Sequence, residues 1–173
     1  MLTTVQLDKK QHDRNNFDSG VAALNDYLAK HASSSDQRSL TKTFVLVDSE
    51  QPQKIIGFYT LVYASASVPD GFPRLANYPH PAPALKLARM AVDKDFRNNR
   101  FGEQLLLECI RKTAFAAQPG NPAAVIGLFV DAKEDAANFY KQYGFLEANC
   151  TNKNSLYLPI KTCLEVASAI ENG

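Results

Sequence analysis

Residues 97–102 carry the side chains whose types and spacing are best suited to chemistry. The segment reads Arg97-Asn98-Asn99-Arg100-Phe101-Gly102, between a mostly apolar run that ends at Val92 and a leucine-rich stretch. This order predicts a strand, a tight turn and a helix, with backbone N–H groups gathered at the helix N-terminus and two arginines beside them. Such a turn is suited to a phosphate-bearing ligand. The alternative is an ordinary strand–helix turn with solvated arginines.

A second candidate for chemistry is the hydroxyl of Tyr140. A phenol with the usual pKa of about 10 is protonated at neutral pH and can give its proton to a leaving group. Tyr140 also belongs to an apolar stripe with Ala136, Phe139 and Tyr143, at the spacing of one helix face. Such a stripe is typical of core packing. From the residues alone, the core interpretation is favoured.

Composition excludes several classes of site. The three cysteines (Cys109, Cys150 and Cys163) and the three histidines (His12, His31 and His80) are widely spaced. They predict neither a disulfide framework nor a metal centre. The net charge is only +1, although residues 84–112 carry seven positive and four negative side chains. This mild polarity is weak support for a nucleic-acid partner, because charge clusters are usually solvated faces.

Length and hydropathy predict a single domain over residues 1–173. The first residues lack the charged and long apolar regions of a signal peptide. No apolar run approaches the ~20 residues of a membrane span. We therefore expect a cytoplasmic protein that does not enter a membrane.

The predicted elements mix strands and helices. Strands are expected near residues 5–7, 43–48, 54–66, 84–92, 123–130, 145 and 156–158. Helices are expected over about 19–30, with Asp18 or Ser19 as the N-cap, and over 31–38, 102–117, 132–143 and 160–171. Five of the nine prolines fall between Pro69 and Pro83, which predicts a long loop. An antiparallel hairpin followed by β-α-β-α units predicts an α/β (α+β) fold with a mixed central sheet.

Two segments resemble the GCN5-related N-acetyltransferases (GNATs). Residues 97–102 stand where the family has its Gln/Arg-x-x-Gly-x-Gly/Ala turn for acetyl-CoA. The run Ala136-Ala137-Asn138-Phe139-Tyr140-Lys141-Gln142-Tyr143-Gly144-Phe145 matches A-x-x-F-Y-x-x-x-G-F. The resemblance implies a mixed sheet with splayed central strands, flanked by helices, and acetyl transfer from acetyl-CoA to an amine.

Further segments resemble the GNAT toxins of toxin–antitoxin pairs, of the TacT and AtaT type. They are Phe17-Asp18-Ser19-Gly20 with Leu24-Asn25-Asp26-Tyr27-Leu28, and Leu87-Ala88-Arg89-Met90-Ala91-Val92-Asp93. The similarity runs over nearly the whole chain. It implies an aminoacyl-tRNA whose α-amine is acetylated, a small DNA-binding antitoxin of the ribbon-helix-helix type, and a homodimer as an oligomeric state open to this chain.

The resemblance also implies roles for individual residues. Tyr140 would be the general acid. The N–H groups of Met90, Ala91 and Val92 would stabilise the oxyanion. Acetyl-CoA would be held by Arg97, Asn98, Asn99, Arg100, Phe101, Gly102 and Asn138. No side chain is selected as the general base among His12, Asp93 and Glu134, and water could suffice for a weakly basic amine.

One departure from the family concerns the turn itself, because related toxins usually carry glycine where this chain has Asn98 and Arg100. Asparagine tolerates left-handed backbone geometry, but an arginine there is harder to place. Arg100 could point outward, hold a phosphate or weaken the cofactor site. Two alternatives therefore stay open: a GNAT enzyme acting on a small amine or a protein N-terminus, and a cofactor-deficient binding module.

Overall fold

The structure is a computed structural model that describes residues 1–67, 71, 81–148 and 154–172. Within these residues, seven strands form one mixed sheet in the order β1-β2-β3-β4-β5-β7-β6. The strands are β1 (Leu2–Gln6), β2 (Lys42–Asp48), β3 (Gln51–Ala66), β4 (Ala82–Val92), β5 (Gly127–Asp131), β6 (Leu146–Glu147) and β7 (Ser155–Pro159). The expected α/β fold with a mixed sheet is confirmed.

Helices alternate with these strands along the chain. They are α1 (Ala22–Asp26), a π-helical turn (Tyr27–His31), α2 (Ala32–Gln37), a 3-10 turn (Lys94–Phe96), α3 (Phe101–Ala116), a second 3-10 turn (Glu134–Ala136), α4 (Ala137–Lys141) and α5 (Ile160–Glu171). Every helix among the described residues is too short or too polar to span a lipid bilayer.

The chain divides into two compact units, and the first consists of residues 1–62 and 88–109. Its strands β1, β2 and β3 are antiparallel neighbours. Aromatic rings fill its core, where Phe58 lies 5.4 Å from Phe17, edge to face, and 6.4 Å from Tyr27, stacked. Apolar burial of this kind is the main force that holds the helical segment on the sheet.

The second unit consists of residues 63–87 and 110–173. In it, Leu85–Leu87 of β4 pairs in parallel with Leu128–Val130 of β5. β7 then pairs antiparallel with both β5 and β6. The rings of Phe129 and Tyr157 pack 4.7 Å apart beside buried Ala84 and Ala148. Parallel pairing of β4 with β5 is what the predicted β-α-β connection requires.

Helix boundaries in the first unit differ from the predicted ones. The predicted helices over 19–30 and 31–38 become consecutive helical segments from Ala22 to Gln37, with a π turn between them. The N-cap is Val21, with no side-chain capping bond, rather than Asp18 or Ser19. These two side chains instead accept N–H groups within the turn before the helix, Asp18 from Gly20 and Ser19 from Val21.

Other boundaries differ in the second unit. Within the apolar run 123–130, the strand begins only at Gly127, and the predicted helix over 132–143 is a 3-10 turn followed by five α-helical residues. Gly144 has φ of +92°, as expected for a residue that ends a helix. β4 begins at Ala82, two residues before its predicted start. Most of the predicted proline loop, with His80, lies outside the described residues, as does Cys150.

Candidate functional site

The turn at residues 97–102 has a left-handed backbone. Asn98 has φ of +67° and Arg100 has φ of +58°, at the two positions where glycine was expected. The turn opens α3, and no hydrogen bond in the described part of the chain uses the backbone N–H groups of residues 98–103 as donors. A series of unbonded N–H groups in a left-handed turn at a helix start is suited to an anion.

The side chain of Arg100 does not block this turn. It is 87% exposed and makes a loose contact with Glu103, in the first turn of α3, at 3.9 Å. The Arg100 side chain is therefore directed outward. A Cβ added to Gly102 would likewise meet no atom within 4 Å. The open side of the turn therefore fits a phosphate-bearing group such as the diphosphate of acetyl-CoA.

Arg97 is fixed by the turn at residues 17–20. Its Nη2 donates to the carbonyl oxygen of Ser19 at 2.7 Å. The guanidinium lies directly over Gly20, where an added Cβ would come within 2.7 Å of the same nitrogen. Gly20 has φ of +79° and so suits glycine on conformational grounds as well. Because the side chain is exposed, its remaining N–H groups could serve a ligand.

Asp93 joins the end of β4 to the same 17–20 turn. Its buried carboxylate accepts the N–H of Asp18 at 2.9 Å and the N–H of Asp95 at 2.9 Å. Its own N–H donates to Ile56 O in β3 at 2.9 Å. Asp93 therefore fixes the point at which the chain leaves the sheet for the candidate turn.

Asp18 and Lys94 add an ion pair to this connection. Lys94 Nζ lies 2.7 Å from Asp18 Oδ2, and Lys94 N donates to Asp18 O at 2.8 Å. The ammonium of Lys94, with N–H groups from Gly20 and Asn25, holds the pKa of Asp18 well below its usual range. In turn, Asp18 raises the pKa of Lys94. Both groups are therefore charged at neutral pH.

Met90, Ala91 and Val92 lie at the end of β4, in the same unit as residues 97–102. β3 approaches them closely at Gly57. A Cβ added to Gly57 would lie 3.0 Å from Ala91 O and 2.9 Å from Leu105 Cδ1. Gly57 thus allows β4 and α3 to pack tightly where the candidate oxyanion donors lie.

Tyr140 and Asn138 lie together on α4, in the second unit. The Tyr140 side chain is buried, with ring contacts to Phe139 at 5.2 Å and Phe145 at 5.5 Å. This packing agrees with the core interpretation, and the catalytic role stays a prediction. Asn138 is exposed. Tyr157 is a poorer acid, because burial raises its pKa to about 12 and its hydroxyl donates to Ile126 O at 2.7 Å.

Two of the candidate bases have structural roles instead. His12 is buried, and its Nδ1 accepts the N–H of Asp8 at 2.9 Å. Asp93 is committed to two backbone N–H groups. Glu134 is exposed in the 3-10 turn before α4. Among the described residues, no group of three or more potential ligands could hold a metal ion.

Sequence reasoning missed the residues that hold the turn. Asp18, Ser19, Gly20 and Lys94 were not among the predicted site residues. Asp18 nevertheless bonds to Asp93 and to Lys94, and Ser19 and Gly20 contact Arg97. The run Asp18-Ser19-Gly20 does carry a local signal, since Asp followed by Ser-Gly is typical of a side-chain-stabilised turn. Its connection to residues 93–97 depends on tertiary structure and has no local signal.

Comparison with known proteins identifies the family. Residues 40–147 match the model of the acetyltransferase (GNAT) domain. The tRNA-acetylating toxin of Mycobacterium tuberculosis (strain ATCC 25618 / H37Rv) is 31% identical, over 86% of this chain and 87% of that protein. A probable toxin TacT of Sinorhizobium fredii (strain NBRC 101917 / NGR234) is 25% identical, over 90% of each chain.

Solved structures agree over nearly the full length. A mutant of KacT superposes with a TM-score of 0.84 at 26% identity, covering 95% of this chain and 98% of that one. AtaT in complex with acetyl-methionyl-tRNAfMet gives 0.84 at 25% identity, covering 94% and 96%. A mutant AtaT bound to acetyl-CoA and the C-terminus of the antitoxin AtaR gives 0.78 at 25%, covering 94% and 95%. With its mixed sheet, left-handed turn and matching domain model, the chain belongs to the GNAT family of acetyltransferases.

Proposed function

We propose that this chain transfers an acetyl group from acetyl-CoA to the α-amine of an aminoacyl-tRNA, as a toxin of a toxin–antitoxin pair. The similarity to a tRNA-acetylating toxin over 86% of the chain supports this substrate class. AtaT, a structural neighbour with matching coverage, is found with acetyl-methionyl-tRNAfMet. Both comparisons point to the same acceptor.

The observation that carries the enzymatic proposal is the left-handed turn at Asn98 and Arg100, whose N–H groups bond to no acceptor among the residues that the structure describes. It reproduces with non-glycine residues the backbone that glycine usually provides. Since Arg100 is directed into solvent, it leaves the N–H groups accessible. This geometry favours a cofactor-binding enzyme over the binding-module alternative.

Acetyl-CoA supplies the acetyl group, and residues of the first unit would hold and polarise it. The N–H groups of the turn from Asn98 to Gly102, with Arg97, would bind the diphosphate. Val92 and Met90 would offer N–H groups to the carbonyl oxygen as negative charge develops on it, whereas the N–H of Ala91, between them, would point towards β3 in a regular strand. In a regular strand, the N–H of Val92 points away from β3, because the next N–H, that of Asp93, donates to Ile56 O.

The resemblance assigns to Tyr140, in the second unit, the role of a general acid that would give its hydroxyl proton to the departing sulfur. It assigns to Asn138, on the same helix, a contact with the cofactor. No described carboxylate or imidazole is required as the base. His12 and Asp93 are occupied by backbone N–H groups, and the amine of an aminoacyl ester is weakly basic, so water can accept its proton.

The proposed activity implies a partner protein and a cellular compartment. We propose that a small DNA-binding antitoxin, of the ribbon-helix-helix type, neutralises the enzyme; AtaT is known in complex with its antitoxin AtaR. We further propose that residues 1–173 act as one acetyltransferase domain in the cytoplasm, where charged tRNA is found.

The proposal is tested by coenzyme A release with three acceptors: total aminoacyl-tRNA, the same tRNA after deacylation, and free amino acids. Release only with aminoacyl-tRNA supports the proposal. Acetylation of free amino acids at an equal rate would favour the small-amine alternative. Activity on tRNA should also fall steeply between low and physiological salt, because phosphate contacts release counterions.

A further inference from the structure

We propose that the turn at residues 17–20 is a positioning element for acetyl-CoA binding, in which Asp18 and Gly20 hold the 97–102 turn in its diphosphate-binding conformation. This inference rests on the proposed function, since it assigns part of the cofactor affinity to residues that do not touch the cofactor. Asp18 and Gly20 are positioning residues in this account, and Arg97 and the turn N–H groups are the binding groups.

The 97–102 turn needs support because of its own sequence. Left-handed φ values cost free energy for residues other than glycine, less for asparagine than for arginine, and here both Asn98 and Arg100 adopt them. Such a conformation persists only where the surrounding structure over-determines it. Within the turn, side-chain support is slight: Asn99 Nδ2 donates to Phe96 O and Arg97 O, each at 3.2 Å, and Arg100 faces solvent.

The supporting contacts come from the 17–20 turn and converge on the residues just before Asn98. Lys94 is bound twice, through its N–H to Asp18 O at 2.8 Å and through its ammonium to Asp18 Oδ2 at 2.7 Å. Arg97 is bound to Ser19 O at 2.7 Å. The backbone on both sides of the 3-10 turn Lys94–Phe96 is therefore tied to one short segment.

Asp18 also stabilises the 17–20 turn itself. Its Oδ1 accepts the N–H of Gly20 at 2.8 Å and Asn25 Nδ2 at 2.9 Å. Gly20 in turn leaves room for the Arg97 guanidinium, because a Cβ at position 20 would overlap Nη2. One carboxylate thus connects the start of the first helical segment, the 17–20 turn and the approach to the cofactor turn.

The test uses two acetyl donors, acetyl-CoA and S-acetylpantetheine, the second of which lacks the diphosphate. For Asp18→Asn, we expect the KM for acetyl-CoA to rise about tenfold with little change in kcat, the equivalent of one or two lost contacts. With S-acetylpantetheine, the variant should match the wild-type protein. A merely structural role would affect both donors alike.

The matched control is Asp26→Asn. Asp26 pairs with Lys30 at 2.8 Å, so its replacement also removes an Asp–Lys ion pair from the first unit, but one whose partner lies in the helical segment and not in residues 93–97. Its kinetic constants for both donors should equal those of the wild-type protein.

Gly20→Ala gives an independent test, since the Cβ displaces Arg97 without changing charge. Gly120→Ala is its control, because Gly120 also has a left-handed φ, of +92°, with no atom within 4 Å of an added Cβ. Gly20→Ala should raise the KM for acetyl-CoA, and Arg100→Gly in the same chain should recover part of the loss by relieving the turn.

Thermal unfolding first establishes that Asp18→Asn and Gly20→Ala are folded. The inference is overturned if these variants then bind and use acetyl-CoA as their controls do. It is also overturned if the two substitutions reduce the reaction with acetyl-CoA and with S-acetylpantetheine equally. A wild-type protein that releases no coenzyme A with any acceptor would instead contradict the proposed function, which keeps the two failures distinct.

Discussion

The backbone N–H of Asp18 donates to Oδ2 of Asp93 at 2.9 Å, across 75 residues of sequence. The bond joins the turn before the first helical segment to the end of β4. It places a buried carboxylate, itself bonded to the N–H of Asp95, at the base of the candidate cofactor turn. Cofactor binding and the stability of the first unit are therefore linked through this residue.

Substitutions of Asp93 test how much this carboxylate contributes to the stability of the fold. Asp93→Ala leaves two backbone N–H groups without their acceptor, so we expect the free energy of unfolding to fall by about 2–3 kcal/mol. Asp93→Asn keeps one oxygen and should lose less. Chemical denaturation gives both values. The exposed neighbour Asp95 is the control, and Asp95→Ala should change stability by no more than about 0.5 kcal/mol; equal losses at both positions would contradict the role given to Asp93.

Two glycines should respond to alanine with opposite signs. Gly57→Ala pushes a Cβ against Ala91 O and Leu105, and the backbone oxygen cannot move aside easily, so we expect a loss of about 1–3 kcal/mol. Gly102→Ala meets no atom within 4 Å and lies in α3, so it should gain about 0.5–1 kcal/mol from helix propensity. Denaturant midpoints compare the two, and a stabilised Gly57→Ala would contradict the close approach of β3 and β4.

The buried His12 predicts a pH dependence of stability. Desolvation lowers its pKa below the usual 6.5, so the unfolded state binds the proton more readily than the folded state. The contribution of His12 to stability is therefore present above pH 6.5 and is lost as the pH falls below that value. His12→Asn can keep the acceptor for Asp8 N without titrating. Between pH 7 and 5 the variant should lose less stability than the wild-type protein; parallel curves would contradict this assignment.

The role of Tyr140 is tested by removing one oxygen atom. Tyr140→Phe should preserve the fold and acetyl-CoA binding while lowering kcat by roughly 10²–10⁴-fold, the range for a lost proton donor. Tyr157→Phe is a matched control in the same unit. It removes a hydroxyl bonded to Ile126 O, so it should lower stability by about 1 kcal/mol and leave turnover unchanged. Undiminished turnover in Tyr140→Phe would remove this residue from the mechanism.

The sequence predicted the central elements because their patterns are local. β2, most of β3 and α3 follow from apolar runs and helical spacing, and Gly144 ends its helical segment as its residue type indicates. The left-handed backbone at Asn98 could also be predicted from its residue type, since asparagine tolerates that geometry. The outward direction of Arg100 was one of three outcomes left open, because neighbouring residues in sequence do not determine it.

Other features depend on tertiary contacts. The π-helical turn at Tyr27–His31 has no signal in the sequence, because its buried residues Tyr27 and Leu28, with Ala32 after them, stand at spacings that an ordinary α-helix also gives. The apolar residues 123–126 looked like strand, but regular pairing starts only at Gly127, where an added Cβ would lie 2.2 Å from Leu158 O. The contacts of the 17–20 turn join distant parts of the chain. A homodimer, a single domain and a catalytic Tyr140 stay predictions.

The central claim is acetyl transfer to the amine of a charged tRNA, and mass spectrometry of the product tests it most directly. Total aminoacyl-tRNA is incubated with the protein and isotopically labelled acetyl-CoA, and the aminoacyl groups are then released and weighed. We expect labelled N-acetyl groups on one or more amino acids, lost in Tyr140→Phe. Unlabelled aminoacyl groups throughout, with acetyl-CoA intact, would contradict the account.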